Sequence, residues 1–398
     1  MSRQTCCSLL FFLLSLNLPA QDISRIDQST ISVNALDSEL QRLTEAANVH
    51  GMAVAVLSSE EVLFQKAYGY SNLKTKTPLK LTHNFYAASL SKPLFAFIVM
   101  KLVDQGVLDL DKSLVTYLDQ PLYTYKFKHG YEGYDDLEGD DRYQSITARM
   151  CLAHTTGFPN WRYIGKAGIN MEKPLTIETD PGTVFGYSGE GIQLLQFVVE
   201  QITDRKLEEL AQEHVFQPFD MQMTSYLWQD RFEGKYAVGH AKKKKVLERK
   251  KRNVEYAAGS MDTTPADYIK FLQAMLAKEG LSEKAYTELI KPQIRIRSLQ
   301  QFGSNSQKMT DANDDIQLSY GLGWGLYETP HGPAVFKEGH IMGWEHYVIF
   351  YPAQDLALMI MTNSSNGEGI FKELLETAVG DRWMPWYWEN YFPYNFKG

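Results

Sequence analysis

The strand-like stretches of this chain lie at its two ends, and that placement restricts its fold more than any other feature. Residues 52–57 and 62–68 are β-rich runs joined by a short polar turn. Far downstream, residues 347–351 and 356–361 form a second pair, separated by Pro352-Ala353-Gln354-Asp355, a hairpin signal; residues 320–327 alternate with glycine. Between the two sets lie helical patterns at 191–202, 206–215 and 267–278. Leu36, Leu40, Leu43 and Ala47 recur at helical spacing before the first strands, and 369–379 reads as a final helix. The expected class is α/β in the broad sense (α+β): one antiparallel sheet built from both chain ends, flanked by helices, with an inserted helical subdomain. No internal repeat or linker divides it.

The first twenty residues stand apart. Arg3 precedes an apolar run from 9 to 16, and Pro19-Ala20 follows as a cleavage site. Residues 1–20 read as a signal peptide, so the chain is expected to be exported, to the periplasm or the medium. A domain at 21–382 and an aromatic tail at 383–398 follow. No other apolar run reaches membrane-spanning length. The mature part retains only Cys151, which rules out an internal disulfide and a cysteine metal cluster. A net charge of −8 provides no field that would draw the protein to nucleic acid.

Ser89-Leu90-Ser91-Lys92 opens a strongly apolar helix containing Leu94, Phe95, Phe97, Ile98, Met100, Leu102 and Val103. A hydroxyl and an amine three residues apart on a helix share a face. A serine hydroxyl is a weak nucleophile without a base, and a lysine made neutral by burial and a second cation is one such base. The string alone decides nothing, because Ser71-Asn72-Leu73-Lys74 matches it. That copy follows a strand and enters a polar turn. Two further strings follow in order: Tyr187-Ser188-Gly189 before a helix start, and Lys337-Glu338-Gly339 before the 347 strand. Their decoys are Tyr70-Ser71-Asn72, which lies before Ser89, and Lys278-Glu279-Gly280, at a helix end.

The ordered set Ser-x-x-Lys, Tyr-Ser-x, Lys-x-Gly resembles the serine β-lactamase and penicillin-binding-protein superfamily. The wide spacing from Ser89 to Lys337 is similar to the class C β-lactamase and related esterase branch. The segments 85–92, 106–111, 152–157, 258–260, 264–267 and 337–352 carry the same likeness, which covers roughly residues 35–380. The resemblance implies that Ser89 is acylated, that Lys92 takes its proton or tunes its neighbours, that Tyr187 shuttles a proton and that Lys337 supplies a second cation. It leaves open whether Lys92 or Tyr187 is the working base. The backbone N–H groups of Ser89 and His340 would form the oxyanion hole. Gly189, Glu338 and Gly339 would meet the substrate, unless Glu338, which alternates with Lys337 and Gly339 along the strand, points away from the cleft. Two of these depart from the family pattern. Gly189 replaces an asparagine that would grip an amide carbonyl, and Glu338 replaces a hydroxyl residue that would meet a substrate carboxylate.

The implied function is hydrolysis of an ester or amide, whether β-lactam, D-alanyl peptide or small ester, through an acyl-Ser89 intermediate. The substrate is a small molecule or peptide, with cell-wall material among the candidates. The competing reading, motivated by Gly189 and Glu338, is a non-catalytic or very slow binder of penicilloyl groups or peptidoglycan. No cofactor is implied. His340 and His346 have no third partner at metal-ligand spacing, so no metal is expected. His154 reads as structural. The basic run 242–252 reads as a solvated hairpin, or else as a binder of anionic wall polymers or lipid, and the tyrosine-rich stretch 119–145 as a surface excursion, with 123–143 a cleft rim or a plain surface loop. The aromatic run 383–396 reads as a tail packed on the domain, or else as a platform for sugar or a membrane interface.

Overall fold

Strands from both ends of the chain meet edge to edge in one sheet. A computed structural model describes residues 22–127, 133–165 and 168–396; residues 1–20, expected from the sequence to be a signal peptide, lie outside them. The N-terminal strands are β1 (Gly51–Leu57), β2 (Val62–Asn72) and β3 (Thr77–Pro78). The C-terminal ones are β4 (Ile294–Arg295), β5 (Ser319–Tyr320), β6 (Gly325–Thr329), β7 (Gly332–Ile341), β8 (Trp344–Tyr351) and β9 (Leu356–Thr362). Their order is β4-β5-β6-β7-β8-β9-β1-β2-β3, antiparallel throughout. The junction pairs Met361 with Ala53 and Ala357 with Leu57.

The central strands are apolar at nearly every position because both faces of the sheet are covered. Met52, Val54, Val56, Phe336, Tyr347, Ile349, Leu358 and Ile360 pack with helices α1 (Val33–Ala46) and α5 (Glu368–Val379). The alternate residues Ala55, Leu57, Val335, Val348, Phe350, Ala357 and Met359 pack with α2 (Ser91–Asp104), α3 (Gly189–Thr203) and α4 (Pro265–Leu276). Side chains alternate across a strand, so each strand feeds two cores.

Four local expectations are corrected. The 320–327 stretch is two short strands around a turn, closed by Gly321 N–H donating to Trp324 O at 2.8 Å, with Gly323 at φ +82°. The 206–215 helix is a short α-helix, Leu207–Ala211, that widens into a π turn at Gln212–Phe216. The described part of 119–145 is no mere surface excursion, because Leu122, Tyr134, Leu137 and Tyr143 are buried in the core. The basic run divides. Lys242–Lys244 form the exposed turn between His240–Ala241 and Lys245–Val246, but Arg249 is buried and donates to Asn84 Oδ1 and Asp262 Oδ1, both at 2.7 Å.

The aromatic tail enters the core beneath α5. Met384, Trp386, Trp388 and Tyr391 are buried, while Tyr387, Phe392, Tyr394 and Phe396 remain exposed. Trp388 Nε1 donates to Ser298 Oγ at 3.1 Å, and its carbonyl accepts from Gln301 N–H at 2.8 Å.

Candidate active site

Ser89 is not inside the helix that follows it. It lies in a single 3₁₀ turn, Ala88–Leu90, and the α-helix starts at Ser91. Ala88 has φ +49°, a left-handed conformation that costs a non-glycine residue about 1–2 kcal/mol. Tertiary hydrogen bonds hold the turn there. Ala87 N–H donates to Met261 O at 2.9 Å, Ser91 Oγ–H to Ala88 O at 2.6 Å, and Tyr226 O–H to Ser91 O at 2.8 Å. The turn lifts the Ser89 side chain into a half-buried position beside α2.

Lys92 is 1% exposed. Its Nζ is 3.1 Å from Ser89 Oγ and donates to Ala258 O at 2.6 Å. Burial, reinforced by the Lys337 charge, drives its pKa well below the usual lysine range, against the opposing pull of Glu338. A neutral amine has one lone pair. With an N–H committed to Ala258 O, that lone pair is free to accept the Ser89 hydroxyl proton.

Lys92 Nζ and Lys337 Nζ both lie against the ring of Tyr187, each 4.8 Å from its centroid. Burial raises the phenol to about 12, against the pull of Lys337. Its hydroxyl lies beside Ser89 and Lys337 but completes no hydrogen bond of ordinary geometry. Tyr187 immediately precedes the N-cap of α3, where Ser188 Oγ accepts from Gly191 N–H at 2.9 Å. His154, buried and held neutral by burial and the nearby lysines, packs 4.3 Å from the Tyr187 ring and accepts from Ser188 N–H at 3.2 Å. That is a positioning contact, in keeping with the structural reading of His154.

Lys337 is fully buried on β7. Burial opposes its charge, but Glu338 and the phenols of Tyr187 and Tyr320 outweigh it and hold the pKa well above the usual range. Lys337 Nζ and Glu338 Oε1 form a buried ion pair. Gln301 Nε2 donates to the same oxygen at 3.2 Å. The pairing of β7 with β6 ends at Phe336, so the edge from Lys337 to Ile341 is open on that side. Gly339 lets this edge approach the Ser89 turn. A Cβ there would stand 2.8 Å from Ala87 O and 3.1 Å from Leu90 Cγ.

Gly189 is needed for a similar reason. A Cβ would stand 2.7 Å from Asn160 O and 2.8 Å from the Trp161 ring. Asn160 O accepts from the N–H groups of Gly189 and Glu190 at 2.9 and 3.1 Å. Arg162 anchors the next residue through a buried, forked pair with Glu190. An indole therefore occupies the space an asparagine side chain would fill.

The structure brings Ser89, Lys92, Tyr187 and Lys337 together and leaves the decoys outside. Ser71 is buried within β2 and donates to Thr77 O at 3.2 Å, and Lys278 lies at an exposed helix end. No sequence signal points to Trp161, Gln301 or Glu389 at the site, and the Ala258 segment carries a family likeness without a role of its own. His340 has more company than its spacing indicated. Its imidazole forms an ion pair with Glu368, and one ligand atom each of His340, Glu345 and Glu368 lies within 4.8 Å of the others. This group sits on the strand face opposite Lys337 and Gly339.

The β-lactamase family model matches residues 36–378. Protein flp of Staphylococcus aureus is 21% identical over 83% of the chain, which spans 63% of that protein's length. Penicillin-binding protein 4* of Bacillus subtilis is 23% identical over 85% of this chain and 74% of its own. The structure of D-alanine carboxypeptidase AmpC from Burkholderia cenocepacia superposes with a TM-score of 0.65 at 18% identity, covering 86% of this chain and 96% of that one. The extent of the family match, from α1 to the end of α5, establishes that the chain belongs to the β-lactamase family.

Proposed function

We propose that this protein is a serine hydrolase that cleaves an ester or amide through an acyl-Ser89 intermediate. The observation that carries the reading is the buried Lys92 amine, driven towards its neutral form, 3.1 Å from the Ser89 hydroxyl. Ser89 Oγ attacks the carbonyl carbon as its proton passes to Lys92. The N–H groups of Ser89 and His340 receive the oxyanion. Tyr187, a neutral phenol, gives its proton to the leaving atom as the carbonyl bond to that atom breaks, and recovers a proton from the Lys92 ammonium. Water then repeats the sequence on the acyl group. Lys337 keeps Lys92 poorly basic and stabilises charge on Tyr187. Between the two candidate bases, the neutral amine and the protonated phenol favour Lys92.

The names of the relatives, a penicillin-binding protein and a D-alanine carboxypeptidase, support β-lactams and D-alanyl peptides as substrate candidates beside simple esters. The test is covalent labelling by a fluorophosphonate, followed by mass spectrometry. Label is expected on Ser89 and absent from Ser89→Ala; label that persists in the variant sinks the assignment. The Lys337–Glu338 pair favours one alternative, a binder that acylates without turnover. Multiple turnover of a chromogenic ester excludes it. Export is part of the proposal and rests on the composition of residues 1–20. N-terminal sequencing of the exported protein is expected to begin near residue 21, and a chain that keeps residue 1 counts against it.

A further inference from the structure

We propose that the cleft selects substrates whose leaving group carries no negative charge, and that Glu338 imposes this choice. The inference rests on the acyl-transfer reading above and narrows its substrate class to neutral esters, thioesters and amides.

A substrate carboxylate needs a cation with an unsatisfied charge. The site has two amines. Lys92 is held towards its neutral form and donates to Ala258 O. Lys337 keeps its charge, but that charge faces Glu338, and both side chains are buried, at 0% and 3% exposure. Of the guanidinium groups near Tyr86, Arg249 donates to Asp262 Oδ1 at 2.7 Å, and Arg252, 3.8 Å from the same oxygen, lies against the Tyr86 ring at 3.5 Å from its centroid.

Glu338 cannot readily leave Lys337. Gln301 Nε2 grips its bonded oxygen, and the Gln301 backbone is tied to Trp388 O in the buried tail. The other oxygen, Oε2, is buried and has no hydrogen-bond partner among the described residues. Glu389 is 1% exposed, with neither oxygen partnered among the described residues; burial and the Glu338 charge push its carboxyl well above the usual range, towards the neutral acid, against the pull of Lys337. One carboxylate, Glu338, thus already occupies the one charged amine. An incoming carboxylate would have to share that ammonium with Glu338, or strip Glu338 of its counter-charge while it remains buried.

The geometry also assigns the side of the scissile bond. Tyr187 carries the proton for the leaving atom, and Lys337 Nζ lies against the Tyr187 ring. The leaving group therefore lies along the open edge that begins at Lys337 and Glu338.

The experiment uses two thioesters of N-acetylglycine, one with mercaptoacetate as leaving group and the other with its methyl ester. They differ by one negative charge, and the released thiol is read by a colorimetric reagent. The wild-type protein is expected to favour the neutral thioester at least tenfold in kcat/KM. Glu338→Gln keeps the side-chain shape and removes the charge; Glu338→Thr supplies a hydroxyl. Each is expected to narrow the ratio at least fivefold, chiefly through KM of the anionic substrate. Circular dichroism and fluorophosphonate labelling of Ser89 check that the variants are folded and reactive. If neither variant folds, the wild-type ratio decides. A wild-type protein that prefers the anionic thioester overturns the proposal, as do labelled variants with an unchanged ratio. Failure of Ser89 to be labelled, with no turnover of either thioester, overturns the hydrolase reading instead and this proposal with it.

Discussion

Lys92 Nζ stands 3.1 Å from Ser89 Oγ although the two residues lie in different elements, the serine in a 3₁₀ turn and the lysine in the first turn of α2. Their separation is therefore set by the strained Ala88 and its tertiary hydrogen bonds rather than by helical periodicity alone.

The first prediction concerns the acid limb of the pH–rate profile. Acylation needs unprotonated Lys92, so kcat/KM falls as that amine takes up a proton. The Lys337 charge lowers the proton affinity of Lys92, and Glu338 raises it. Lys337→Met removes the repelling charge and is expected to move the limb to higher pH. Glu338→Gln removes the attracting one and is expected to move it to lower pH. Shifts in opposite directions are expected for the two variants. Profiles with an uncharged ester decide the matter, and shifts of the same sign would contradict this coupling.

Gly189 provides a steric prediction. A side chain at this position meets Asn160 O and the Trp161 ring at under 3 Å. Gly189→Asn is expected to cost about 1–3 kcal/mol as an overpacked substitution. Adding Trp161→Ala is expected to return part of that loss by clearing the indole, leaving the Asn160 carbonyl contact. Urea unfolding of the two single variants and the double variant measures the coupling. Strict additivity would show that Trp161 is not the obstacle.

The architecture was legible because its signals were local. β-rich runs at both ends specified a shared sheet, and the helices followed from apolar spacing. The site was legible as an ordered set of strings, with Ser71 set aside for want of a helix. What escaped were relationships between segments distant in the chain. Trp161 against Gly189 depends on the Arg162–Glu190 pair. Glu338 on Lys337 depends on Gln301, which depends on Trp388. His340 gains Glu345 and Glu368 only when β7, β8 and α5 converge. No spacing rule contains these. The interior of 119–145 was missed for a related reason: isolated Leu122, Tyr134 and Leu137 carry no periodicity, yet each fills the core.

The Arg162–Glu190 pair yields the third prediction. Both residues are buried, at 1% and 4% exposure, and Glu190 Oε1 accepts from both the backbone N–H and Nε of Arg162. Removing Glu190 leaves the Arg162 charge with, among the described acids, only Asp136 at 3.9 Å, and losing the close partner of a buried charge costs about 3–5 kcal/mol. Glu190→Ala is expected to lose stability in that range. The double change Arg162→Met with Glu190→Leu is expected to recover much of it. Activity is expected to stay low in the double variant, because the pair fixes Asn160 and Trp161 against the start of α3. Recovery of stability and full activity together would show that the pair does not position the site.

Glu345 makes stability depend on pH in an unusual direction. Burial and then the Glu368 charge push its carboxyl up to about 8 from an ordinary value of 4.5, against the pull of His340. Between those values the folded chain binds more protons than the unfolded chain, so this residue costs stability as pH rises through the window. The cost is absent below about pH 4.5 and complete above about pH 8. Glutamine does not titrate, and its amide oxygen can still accept from Glu368 N–H, which donates to Glu345 Oε2 at 2.8 Å. Glu345→Gln is therefore expected to gain stability over the wild type with rising pH and to level off on the alkaline side. Each unit of displacement is worth about 1.4 kcal/mol, so the plateau amounts to a few kcal/mol. Part of any gain will be opposed through His340, whose charge Glu345 helps to hold. Urea unfolding across about pH 4 to about pH 9 gives the difference at each pH. A difference that stays flat across the series would mean that Glu345 titrates normally and that its burial is compensated by the surrounding amides.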